Sequence, residues 1–419
     1  MGRGAGGRVG HPLRLKVVTP TWKPCFHRPN PVELATFLVT AMADRPDLVA
    51  ERAADLAPGA TAREVLEEII VGALQRPPCL VTFSGGRDSS ALLAVCAHVA
   101  RREGLPMPVA FTFRYDNEEE ADETVWQERV MSHLEVPDWE RVDVGNRHDM
   151  VGELAQTFLL DHGVVYPPTL YNNTLPLTRA RGGTHISGEG GDEIFGVRRC
   201  TILRRALDDP KYLTRRRDLK YAARFLGPRL SRTAAWRRFL SGLLDNVLGY
   251  LRQEVREQLY QDLATHFTSE PFDLRRSLAW HLRRKAIVMH QEALTAFSDE
   301  HDVAHVDPFL EPKFVAAYAA TARPLGPATR TDAMRALFSD ILPDDIMSRT
   351  SKALFNRCFL TDVGRSFVRS WDGSGVDEEM VDVDLLRSGW LSRWPPAQTN
   401  GLLQAAWLHS NRSAVRPSA

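Results

Sequence analysis

CLVTFSGGRDSSALLAVCAHVARR, residues 79–102, is the stretch from which the fold is read. Its first five residues, 79–83, are apolar and β-rich, and Ser84-Gly85-Gly86-Arg87-Asp88-Ser89 follows at once. That is the profile of a buried parallel strand stopping at a glycine turn. Ala91, Leu92, Val95, Cys96 and Val99 then recur at helical spacing, which predicts a helix beginning near Ser89. Strand, glycine turn and helix N-terminus together form a phosphate site. The glycines admit close backbone approach, while free N–H groups and the positive helix end face the anion. Ser84 and Ser89 add hydroxyl donors, and Asp88 is the residue that can hold magnesium against phosphates.

The loop lacks the lysine of GxxxxGK[ST] and the spacing of GxGxxG. It resembles the SGGxDS loop of the PP-loop ATP pyrophosphatases, which split ATP between its α and β phosphates. Five fixed positions of this kind arise by chance in well under about one chain in a thousand of this length.

The totals bound the remainder. At 419 residues, length alone suggests roughly two or three domains. A content of 43% hydrophobic and 25% charged residues is that of an ordinary globular protein. Lys+Arg and Asp+Glu both number 53, so no global field draws the chain to nucleic acid or to a membrane. The five cysteines, at 25, 79, 96, 200 and 358, are too scattered for a disulfide framework, and no CxxC or Cys/His cluster in the sequence suggests zinc. A reducing cytoplasm is the expected location. No apolar stretch approaches the roughly 18 residues of a membrane span, and no signal-peptide core follows the start. The opening MGRGAGGRVGH reads as a flexible basic tail.

Three regions are expected: an N-terminal appendage over 1–75, a nucleotide-binding α/β core over 76–200, and a helical part over 201–419. In the appendage, helices are predicted over 31–42 and 62–74, the second capped by Thr61 with Glu64 three residues on. In the core, strand and helix alternate: strands at 107–113, 140–144 and 184–187, helices at 124–134, 150–160 and 175–180, and a turn-rich loop YPPTLYNN at 166–173. Such alternation argues for a parallel sheet with helices on both faces. Beyond 200, helical periodicity continues, and residues 198–238 carry fourteen Lys/Arg against three Asp. That block reads as a solvated helix face or as an interaction patch for a peptide or RNA. Trp390, Trp394 and Trp407 read as packing anchors.

The fourth strand runs into a second glycine loop, Ser187-Gly188-Glu189-Gly190-Gly191-Asp192-Glu193-Ile194-Phe195-Gly196. Both loops fall at carboxyl ends of strands, where open α/β sheets bind ligands. Asp88 and Asp192 would then face one another across a triphosphate with magnesium between them.

SGGRDSS together with SGEGGDEIFG is similar to the synthetase domain of asparagine synthetases and of their relatives, the β-lactam synthetases and lasso-peptide cyclases. Ala121-Asp122-Glu123-Thr124, Val306-Asp307-Pro308-Phe309-Leu310-Glu311, Leu342-Pro343 and Arg349-Thr350-Ser351-Lys352 extend the likeness over roughly residues 64–360. The resemblance implies an α/β fold of the adenine nucleotide alpha hydrolase kind. It implies ATP with Mg2+ as cofactors, and an ATP-dependent, amide-forming ligase. A carboxylate is activated as an acyl-adenylate, pyrophosphate leaves, and an amine displaces AMP. Lys352 matches the family's catalytic lysine and Glu189 its active-site glutamate. Phe83, Ser84, Gly85, Gly86, Asp88 and Ser89 would bind nucleotide, with adenine near Phe83 and Phe113, and Ser187 and Gly188 beside it. Asp88 and Asp192 would hold the metal.

The chain departs from the pattern in three places. Gly2, not cysteine, follows Met1, and the 78 residues before the first strand are too few for a glutaminase domain. Arg87 replaces an aliphatic residue, and Phe195-Gly196-Val197-Arg198 replaces FGGY. Small-molecule or peptide carboxylates and amines are therefore the expected substrates, with a partner amidotransferase or a precursor peptide as candidate partners. Asparagine synthesis from aspartate stays open, as does a tRNA-modifying PP-loop enzyme of the lysidine synthetase kind. So does a nucleotide-binding scaffold without activity.

Overall fold

A computed structural model describes residues 25–411 except 116, 117, 210, 215 and 323. The basic opening therefore lies outside the described residues. Five strands form one fully parallel sheet: β1 (Cys79–Thr82), β2 (Val109–Arg114), β3 (Trp139–Asp143), β4 (Thr184–Ile186) and β5 (Ala304–Val306). Their order is β3-β2-β1-β4-β5. The chain steps outward from β1 to β3, then returns to the other side of β1, so the direction reverses between β1 and β4. That reversal opens a crevice at the carboxyl ends of these two strands.

Side-chain alternation divides the core between the two faces of the sheet. Cys79, Val81 and Phe83 join Ala110 and Ile186 in one cluster with the helices Ala62–Leu74, Arg87–Glu103 and Pro312–Thr321. Leu80 and Phe111 join the opposite cluster with the helices Glu153–His162, Lys285–Glu300 and Asn400–Ser410. Helices on both faces of a parallel sheet are what the alternation of elements predicts.

Local chemistry sets several boundaries. The Thr61 hydroxyl accepts from the Glu64 N–H while Glu64 Oε2 accepts from the Thr61 N–H at 2.8 Å, and the helix Ala62–Leu74 begins there. The helix predicted over 31–42 is shorter, Pro31–Thr36, because Phe37 turns left-handed at φ 57° and stops it. The strand β5 lies in the expected helical part and pairs with β4 in the register His185↔His305. The basic block is not one solvated face. Arg198, Arg224 and Arg232 are buried, Arg199 donates to the Phe225 and Glu270 carbonyls, and Arg224 stacks over Phe239. Trp390 and Trp407 are buried in the core, whereas Trp394 is exposed. Among the described residues, no helix is long and apolar enough to cross a membrane.

Candidate active site

The two glycine loops meet at the crevice. Gly85 (φ 82°) and Gly190 (φ 89°) take the left-handed conformation that only glycine adopts freely. A Cβ at Gly188 would stand 3.2 Å from the Ser89 nitrogen, and one at Gly191 would overlap the Asp88 carboxyl group. The loops thus interlock through missing side chains. Gly191→Ala is expected to cost about 1–3 kcal/mol of stability in urea unfolding, because the Asp88 carboxylate must shift from its place on Arg330. An unchanged midpoint would show that the contact is not tight.

Within the first loop, Ser84 and Ser89 face each other with their Oγ atoms 3.1 Å apart, and the Ser84 N–H donates to Ser89 Oγ at 3.2 Å. The helix Arg87–Glu103 starts immediately after Gly86, two residues earlier than its apolar spacing suggests. Asp88 therefore sits in its first turn, beside the free N–H groups.

One guanidinium joins the two acids. Arg330 donates from Nη2 to Asp88 Oδ2 and from Nη1 to Asp192 Oδ1, and Lys352 Nζ lies 3.6 Å from Asp192 Oδ2. Burial pushes the Asp88 carboxyl up despite Arg330. Burial also opposes ionisation of Asp192, but there Arg330 and Lys352 prevail and hold the carboxyl below its usual value. Arg349 fixes the neighbouring segment. It donates to Glu123 Oε1 at 2.6 Å and to the Gly85 carbonyl at 3.0 Å, with its guanidinium 4.6 Å above the Trp126 ring. The chain 349–352 is thereby tied to the first loop, while the Lys352 side chain remains 81% exposed.

A cavity of about 590 Å³ opens from these groups. Ser84, Gly86, Asp88, Ser89, Ser187, Gly188, Glu189, Asp192 and Lys352 all line it. Phe83, Gly85 and Phe113 do not. Phe83 shares the face of Cys79 and Val81 and is buried in the helix-covered core. Phe113 packs edge-on against Phe111 and His148, with ring centroids 5.4 and 4.5 Å away. Neither of the two rings expected beside adenine thus lies on the cavity wall, where the phenylalanine rings are Phe355 and Phe359. The loop 166–173 also lines it, through Pro167, Thr169, Leu170, Asn172 and Asn173.

Behind the second loop lies a buried polar chain. Asp307 Oδ1 accepts from the Ser187 hydroxyl, and Ser187 Oγ accepts from the Glu189 N–H at 3.2 Å. His305 Nε2 lies 2.9 Å from Asp307, its Nδ1 lies 3.1 Å from His185 Nδ1, and His185 Nε2 lies 2.6 Å from Thr82 Oγ1. Glu189 lines the cavity; burial pushes its carboxyl up, Asp307 and Glu193 add to this, and His290 and His305 oppose it. Burial, then His305, lowers His185 to about 3 against a weaker pull from Asp307. A histidine kept neutral when folded contributes stability that is complete above about pH 6.5 and lost as pH falls toward 3. Between pH 6.5 and 5 the loss from this group is about 2 kcal/mol. His185→Gln is expected to flatten urea-unfolding stability over that interval by this amount; an unchanged slope would refute the assignment.

Three participants escaped the sequence reading. Arg330 follows Thr329, whose hydroxyl accepts from the Asp332 N–H, so its surroundings announce only a helix start. His185 and His305 sit in strands of three residues, too short for a histidine to stand out.

The profile of one protein family, asparagine synthase, matches residues 61–408. No curated protein matches the chain. Among solved structures, the NAD+ synthetase from Burkholderia pseudomallei is 19% identical over 60% of this chain and 99% of its own, at a TM-score of 0.27, too low to carry an argument. The family match takes in both acid-bearing loops and far more than half of the length, and on that ground the chain belongs to the asparagine synthase family.

Proposed function

We propose that the chain is an ATP-dependent, amide-forming ligase that releases AMP and pyrophosphate. The observation that carries this reading is the convergence of Asp88 and Asp192 on one guanidinium, at the mouth of a cavity that also holds Glu189 and Lys352. These two residues suit magnesium. Both are hard oxygen donors, and Asp88 Oδ1 is buried with no hydrogen-bond partner. When bound, the ion offsets negative charge on the departing pyrophosphate.

The chain's own groups account for the remaining work. Ser84, Ser89 and the N–H groups opening the helix Arg87–Glu103 receive phosphate oxygens. A substrate carboxylate attacks the α-phosphorus, the bond to the β-phosphate oxygen breaks, and an acyl-adenylate forms. Lys352, exposed and paired with Asp192 among the described residues, is free to reach the α-phosphate and the tetrahedral intermediate. An amine then attacks the acyl carbon, the bond to AMP breaks, and Glu189 accepts the amine proton. Glu189 suits that task because burial raises its proton affinity above that of an ordinary carboxylate.

Carboxylate and amine carried by small molecules or by one peptide are the proposed substrates. A precursor peptide or an ammonia-supplying amidotransferase is the corresponding partner. The test incubates the chain with MgATP and a panel comprising aspartate plus ammonium, free amino-acid pairs and unprotected peptides, and follows pyrophosphate. Pyrophosphate release matched by an amide product of minus 18 mass units is expected with one member. Cleavage to ADP and phosphate, or release that survives Lys352→Ala unchanged, would overturn the proposal.

A further inference from the structure

Away from the cavity, Cys25, His27 and Glu292 place a sulfur, a ring nitrogen and a carboxylate oxygen within 4.8 Å of one another. We propose that these three side chains form a zinc site that clasps the N-terminal segment to the helix Lys285–Glu300, leaving a fourth coordination position open to solvent. This site is independent of the ligase chemistry.

The donor set selects the metal. Sulfur, imidazole and carboxylate together suit borderline-soft zinc, whereas magnesium takes oxygen alone. Zinc bonds of about 2.3 Å to sulfur and about 2.0–2.1 Å to nitrogen, opened at a tetrahedral angle, separate the two ligand atoms by about 3.6 Å. Cys25 Sγ and His27 Nε2 are 3.6 Å apart. His27 Nε2 also contacts Glu292 Oε2, a hydrogen bond that the metal would replace as the two side chains draw apart.

The surroundings prepare the ligands. Glu292 is buried, and its other oxygen pairs with Arg45, which orients the carboxylate as outer-sphere donors do around metal ligands. The Lys285 charge is taken up by Glu33 at 2.7 Å. One thiolate and one carboxylate offset the two positive charges of the ion. Cys25 is exposed, which provides the entry path.

The clasp would join two walls of the cavity. The His27 carbonyl accepts from the Tyr166 N–H at 2.9 Å, next to Pro167 on one wall, and the helix Lys285–Glu300 presents His290 and Leu294 on another. The sequence conceals the cluster because Glu292 stands 265 residues from His27.

Cys25 is exposed while Cys79, Cys96, Cys200 and Cys358 are buried, so the fast phase of thiol alkylation of the native, reduced full chain reports Cys25. After chelation and dialysis, one equivalent of ZnCl2 is expected to slow that phase at least tenfold, and MgCl2 to leave it unchanged. His27→Gln is expected to weaken zinc protection at least about tenfold. Cobalt is expected to give a thiolate charge-transfer absorption that disappears in Cys25→Ser. No slowing by zinc, or protection that persists at full strength in His27→Gln, would overturn the proposal and leave an ion-paired His27–Glu292–Arg45 cluster. Both substitutions fall on the partly exposed N-terminal segment, away from the core, so folded variants are expected and the comparison stands.

Discussion

Asparagine in place of Asp88 is expected to lower magnesium-dependent pyrophosphate release at least about a thousandfold, the equivalent of about 4 kcal/mol of lost transition-state stabilisation. The substitution keeps shape and volume and removes one charge, so the packing against Gly191 is retained. What it deletes is the anionic oxygen beside the first turn of the helix Arg87–Glu103, the one oxygen of the pair that is buried without a partner. An amide oxygen there is a much poorer magnesium ligand. Asp192→Asn is expected to cost less, about ten- to a hundredfold, because its side chain is 62% exposed and solvent water can substitute for it. Varying magnesium at fixed ATP separates the outcomes. In Asp88→Asn the magnesium dependence should move to much higher concentrations while metal-free ATP binding persists. Retention of more than a tenth of the wild-type rate would remove Asp88 from the metal site and with it the proposed ligase.

The parts of this site that could be read from sequence are those specified locally. A strand, a glycine turn and a helix start occupy consecutive residues in 79–102, and each obeys rules of backbone sterics that need no distant partner. The helix Ala62–Leu74 was legible to the residue because Thr61 and Glu64 satisfy each other's backbone groups. What the sequence hid is set by distance along the chain. Three residues at 304–306 form a strand only because β4 offers a free edge 120 positions earlier, as the pair His185 and His305 shows. The Phe83 and Phe113 rings lie off the cavity for a reason visible in the pattern itself: in a sheet covered on both sides, inward-facing rings belong to the core. Arg330 had no local signal at all, since only the fold carries it between two loops that are 104 positions apart by their acids, 88 and 192.

That arginine gives the second large effect. Among the described residues its guanidinium is the one side-chain hydrogen-bond donor to Asp88, and its own side chain is only 18% exposed. Breaking a fully buried ion pair costs about 3–5 kcal/mol; with Asp192 largely solvated, Arg330→Met is expected to cost about 2–3 kcal/mol at pH 8. The sign of its pH dependence follows from Asp88, whose carboxyl is already pushed up by burial. Without Arg330 that shift grows, so a proton binds the folded form more tightly than the unfolded one. The deficit in urea-unfolding stability should therefore shrink as pH falls through the raised value and be largest above it. Binding of magnesium alone should move the opposite way. A cation that now competes with the guanidinium for both carboxylates would meet them free, and its midpoint by calorimetry should fall about tenfold or more. A variant that is less stable, yet binds the divalent ion more tightly, follows only if Arg330 and the metal share the same two oxygens. Weaker magnesium binding in Arg330→Met would mean that the ion sits elsewhere and that the bridge is structural.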